Sequence, residues 1–166
     1  MTLVEVMHAA VLFIILGLAL LLCTSAFSRM SKKFSSDITL TNEARVVLGK
    51  MVWGNALPGE GVGRHGLWAA NGVTLVGTTR VNYTDTAGAT RTFRLNGQNI
   101  EFVDRTGTTR QLYDPNGAAA PDPGTYSTDL AFSNSGNVVQ IDLILGRNVR
   151  GKWNYASAST QVALRN

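Results

Sequence analysis

The sequence predicts an α+β protein: a long N-terminal α-helix, with its apolar half protruding and its amphipathic half packed on the head, and an antiparallel β-sheet globular head. Three observations carry that expectation. Val6 to Phe27 is almost wholly apolar, interrupted by His8, Thr24 and Ser25. Beyond it Phe27, Met30, Phe34, Ile38, Ala44, Leu48 and Met51 recur mostly at intervals of three or four, the stripe of an amphipathic helix. After Met51, Gly-rich turns separate runs that alternate or are rich in β-branched and aromatic residues, the pattern of strands.

The helix is expected to be continuous from near the start to about Trp53, because neither Pro nor Gly stands between Gly17 and Gly49. At 1.5 Å per residue it spans ~75–80 Å. Its ~20 leading apolar residues match what a helix needs to cross roughly 30 Å of hydrocarbon. Three segments follow: 1–28, the transmembrane or filament-core half; 29–54, the half packed on the sheet; and 55–166, the β-rich head.

In the head, GVTLVGTTRVNY, TRTFRL, NIEFV, TTRQLY, DLAFS and VVQIDLIL read as about six or seven strands. The links between them are too short for crossover helices, so the pairing is expected to be antiparallel.

Composition narrows the function classes. The net charge of +4 is compatible with an anionic partner without requiring one. One cysteine, Cys23, allows no intrachain disulfide, and with two histidines cannot close a zinc shell. No GxSxG, HExxH or Walker pattern occurs, so no enzyme is expected and no catalytic residue is assigned.

Glu5 is the anomaly. An unmatched acid deep in a membrane costs ~2.5 kcal/mol or more, and a simple anchor has no use for it. No base precedes the apolar run, whereas Arg29, Lys32 and Lys33 follow it, which read literally would leave the head in the cytoplasm. A basic leader once present before Met1 and since removed would reverse that topology.

MTLVEV, followed by the apolar helix, resembles the mature N-terminus of type IV pilins and pseudopilins. Met1, Thr2, Leu3, Val4, Glu5 and Val6 fit the family's order, with Met in place of the usual Phe. The resemblance covers about the first 28 residues. It implies a precursor cut after a leader Gly by a prepilin peptidase, which also methylates the Met1 amine. It further implies extraction from the inner membrane by an assembly ATPase and platform protein into a filament of identical subunits or of several pilins. Met1 and Glu5 become the assembly residues, Glu5 neutralising the amine of a neighbouring subunit. The final location is then a cell-surface filament or a periplasmic pseudopilus. Leu22 stands where many major pilins have Pro, and VALRN looks like the last strand of minor pilins and pseudopilins, so major pilin, minor pilin and secretion pseudopilin stay open. His8 stands where the family prefers aliphatics and is read either as a buried, hydrogen-bonded neutral imidazole or as a packing partner for a neighbour's polar N-terminus.

The head offers three further patterns. Gly61, Gly63 and Gly66 spell GxGxxG, but they follow a helix and lead into a strand, the reverse of a dinucleotide fingerprint, so a connecting loop is expected. Asp114, Asn116 and Asp122 could offer oxygens to Ca²⁺, which some pseudopilins bind; the spacing lacks an EF-hand's terminal acid, and turn chemistry explains the same residues, so no cofactor is assigned. Arg80, Arg91, Arg94, Arg105 and Arg110, with Tyr83, Phe93 and Tyr113 nearby, suit a nucleic-acid surface of a DNA-binding or adhesive tip pilin. Solvated sheet faces and guarded edges account for them with less.

Overall fold

The computed structural model describes residues 2–55, 57–61, 63, 65–115, 126–149 and 151–164. Met1, Asn116, Asp122 and the last two residues of VALRN lie outside the described residues. The chain divides into two compact units, Met1–Ile38 and Thr39–Asn166. Helix α1, Leu3–Trp53, runs unbroken for 51 residues through both.

In the first unit α1 has no buried residue. In the second, Leu40, Ala44, Val47, Leu48 and Met51 are buried on one face. Burial along α1 therefore starts at Leu40, whereas Phe27, Met30, Phe34 and Ile38, which continue the same stripe in sequence, are exposed.

The helix ends at Gly54, whose positive φ of 69° suits the left-handed cap and whose N–H donates to the Lys50 carbonyl at 2.8 Å. A Cβ on Gly54 would lie 1.9 Å from the backbone nitrogen of Gly66, and one on Gly66 would lie 2.4 Å from the Val52 carbonyl oxygen. Two stretches of backbone meet here with no room for a side chain. The last glycine of GxGxxG thus serves a close backbone approach, and it leads through a 3-10 turn, Leu67–Ala69, into the first strand.

Eight strands follow among the described residues. β1 (Ala70–Leu75), β2 (Arg80–Asp85), β3 (Thr90–Asn96), β4 (Asn99–Val103) and β5 (Thr109–Tyr113) form an antiparallel meander in that order. β6 (Tyr126–Ser135), β7 (Val138–Val149) and β8 (Lys152–Ala163) form a second antiparallel sheet. The Phe132 N–H donates to the Thr78 carbonyl at 2.6 Å and links the β1–β2 turn to β6. Period-two alternation turns Val81 and Tyr83 of β2, Phe93 of β3 and Leu143 and Leu145 of β7 into a shared core. Phe93 joins its aromatic neighbours there, with centroids 5.4 Å from Tyr83 and 5.2 Å from Phe102.

The α+β class with a helix and an antiparallel head holds. Three details differ from expectation: eight strands are described rather than about six or seven, the strands split into two sheets, and β8 extends over a stretch read as strand only at its end. The inward positions of β8 include Ala156 and Ala158, too small to mark a hydrophobic period.

Candidate assembly segment

α1 is long and apolar enough to cross a membrane, and its most apolar window is 0% buried within the chain. Leu3 is 79% and Phe13 76% exposed, and apolar side chains up to Ile38 share that exposure. A monomer in water rarely leaves more than ~300–600 Å² of contiguous apolar surface uncovered, which makes this segment a candidate membrane span.

Four polar groups of its apolar run are satisfied locally. Glu5 Oε2 accepts the Thr2 backbone N–H at 2.9 Å, and the Thr2 carbonyl receives the Glu5 and Val6 N–H groups at 3.1 and 3.3 Å. This is one arm of a capping box, in which an acid three residues inside the helix reaches back to the cap residue. The T-x-x-E spacing was visible in the sequence and was missed as a cap signal. Glu5 therefore has a partner in its own chain. The proposed partner amine, on Met1, lies outside the described residues.

Within its own chain His8 is exposed, and its Nδ1 stands 2.8 Å from the Val4 carbonyl oxygen. A carbonyl only accepts, so Nδ1 carries the hydrogen, and Nε2 faces away as an acceptor when the ring is neutral. The Thr24 and Ser25 hydroxyls donate to the carbonyls of Leu21 and Leu22 at 3.0 and 2.9 Å, which removes their need for water. Cys23 is a free, exposed thiol.

The arginines of the head are mostly committed. Arg91 is 2% exposed and meets Asp85 through one nitrogen while donating to Glu60 at 2.9 and 3.1 Å through two others. Arg94 pairs with Glu101 at 2.6 Å, and Arg110 with Asp104 at 3.2 Å. Arg105 lies in the turn between β4 and β5, and Arg80 donates to Asn82 at 3.0 Å. Arg91, Tyr83 and Phe93 are core residues and form no part of an exposed nucleic-acid surface. Asp114 is described, but the other two Ca²⁺ candidates are outside the described residues.

These ion pairs set the head's titration. The Arg91 hydrogen bond, acting against burial, lowers the Glu60 carboxyl below its ordinary value. Burial opposes ionisation of Asp85, but Arg91 and the backbone N–H groups of Ala89 and Ala87 outweigh it. Asp104 is lowered to about 2, chiefly by the Thr106 hydroxyl, with help from backbone N–H groups and Arg110. Burial raises the Tyr83 phenol, which donates to the His65 carbonyl at 2.5 Å. Glu60, in the loop after α1, is thereby tied to the β2–β3 hairpin.

No protein-family model, no curated protein and no solved structure matches this chain.

Proposed function

We propose that the chain is a structural subunit of a type IV pilus-like filament, held in the inner membrane before assembly and polymerised through α1. The observation that carries this reading is a single carboxylate, Glu5, at the head of an apolar run whose most apolar window is 0% buried within the chain. Surface of that kind is covered by lipid before assembly and by neighbouring helices afterwards, and a head-to-tail contact that does not close gives a fibre. In such a core Glu5 neutralises the Met1 amine of an adjacent subunit, and losing one partner leaves a buried charge costing ~3–5 kcal/mol.

The experiment is electron microscopy of surface fibres with intact-mass analysis of their main subunit. The expected subunit begins at Met1 with a gain of ~14 Da, the methyl added to its amine. Glu5→Leu should leave the protein in the membrane and abolish fibres; normal fibre yield from that variant would overturn the reading.

One observation favours a second reading, a minor pilin or a type II secretion pseudopilin: α1 passes Leu22 without a break. Abundance in the fibres separates the two, since a minor subunit would be a trace component. A DNA-binding or adhesive tip role has less support, because three of the five arginines behind it are ion-paired.

A further inference from the structure

We infer that the free edge of β8 is a docking site for one extended peptide segment from another chain, bound by strand addition. The proposal stands on the second unit alone and is independent of the filament reading. β8 pairs with β7 on one side and, among the described residues, has no strand on the other. The phase of that edge is fixed by the bond from the Leu164 N–H to the Asn137 carbonyl, 2.7 Å. The register is regular from Val138↔Ala163 to Val149↔Lys152, so residues 156, 158, 160 and 162 exchange hydrogen bonds with β7. The N–H and C=O groups of Ser157, Ser159, Gln161 and Ala163 consequently point away from the sheet.

The other sheet edges carry the devices that discourage pairing. β1 has a bulge between Ala70 and Gly72, β5 is five residues long with Arg110 on it, and β6 carries Asp129. From Ser157 to Ala163, β8 has no charge, no Pro and no bulge. An edge strand without charge, Pro or bulge is a template for another strand wherever a partner can reach it.

The setting selects the occupant. The edge borders a groove of about 650 Å³ whose opposite wall is α1 at Thr41, Arg45, Gly49 and Trp53, with Trp68 beside it. The edge and that wall face one another across the groove. Trp53 and Trp68 lie with centroids 5.6 Å apart and offer an aromatic surface, and Arg45 is exposed and, among the described residues, carries no ion pair. The geometry calls for a peptide with backbone N–H and C=O groups free on one edge, an apolar side chain against the tryptophans and an acidic one opposite Arg45.

The test uses the full chain in detergent micelles and phage-displayed heptapeptides of random sequence. Expected is enrichment of peptides carrying an acid and an apolar residue. The synthetic form of an enriched peptide should slow amide exchange at Ser157, Ser159 and Gln161 at least tenfold. Ser159→Pro, which removes an N–H that bonds nothing in the sheet, should weaken it at least tenfold while the protein stays folded. Should that variant fail to fold, the peptide supplies the control: N-methylation of alternate amides in one of the two phases should abolish binding. Three results would overturn the proposal: no enriched heptapeptide, binding indifferent to N-methylation in both phases, or protection of the same amides that rises with protein concentration alone, which marks pairing between copies.

Discussion

The carboxylate of Glu5 accepts the backbone N–H of Thr2 at 2.9 Å, so the acid heading the apolar run already has a task in its own chain. A cap and an assembly charge make different demands. Gln caps nearly as well as Glu in this position, but it cannot neutralise an amine.

Glu5→Gln is therefore expected to keep the start of α1 helical, as read by amide exchange of Glu5 and Val6, while filament yield falls at least tenfold. If Gln restores wild-type yield where Ala does not, capping is the whole role of the residue. Loss of a cap alone costs ~0.5–2 kcal/mol.

Arg91→Met should destabilise the head by ~3–5 kcal/mol in urea unfolding followed by tryptophan fluorescence, because it strands two buried carboxylates. Arg91→Lys should recover only part of the loss, since a single ammonium cannot reproduce the forked contacts to Glu60 and Asp85. A loss below ~1 kcal/mol for Met would mean that the carboxylates are hydrated rather than dependent on Arg91.

Gly66→Ala and Gly61→Ala lie in one Gly-rich loop but should behave oppositely. The first places a methyl 2.4 Å from backbone atoms of Val52 and Gly54, whereas the second meets nothing within 4 Å. Thermal unfolding should show a loss of ~1–3 kcal/mol for Gly66→Ala and a change within ~0.5 for Gly61→Ala.

Acid should destabilise the head. Glu60, Asp85, Glu101 and Asp104 all have lowered folded values, so their ionised forms are favoured by folding. Their contribution is complete above the ordinary carboxylate range and is lost as pH falls through the lowered values. The melting temperature of the full chain in micelles should be level between about pH 7 and 5 and fall below about 4. Asp104→Asn should flatten the lower end of that fall, where the group held at about 2 titrates. Acid stability that rises below pH 4 would contradict the assigned pairs.

The legible parts of the molecule are those whose signal is local. A run without Pro, and without Gly between Gly17 and Gly49, announces α1, and the period-two runs announce β1 to β7. The point where burial begins, Leu40, was not legible, because Phe34 and Ile38 share the period of Ala44 and Leu48 and only the extent of the head separates them. β8 was hidden for a different reason: its inward residues are Asn154, Ala156, Ala158 and Thr160, with Val162 the one large apolar side chain among them. Arg91 stands in phase with Phe93 in TRTFRL, which places it on the inward face, yet its burial depends on Glu60, distant in sequence and in a loop without period. The cap at Thr2 and Glu5 is legible as T-x-x-E, a spacing that the same acid shares with its place at the head of the apolar run.

The charged centre of the head also joins two scales of chain separation. Asp85 and Arg91 are six residues apart across one hairpin, whereas Glu60 is 31 residues from Arg91. Loop closure grows costlier with length, so holding Glu60 against Arg91 costs more chain entropy than holding the hairpin pair. The segment joining α1 to the sheets is thus fastened by its own charge to a hairpin that the sheet already fixes.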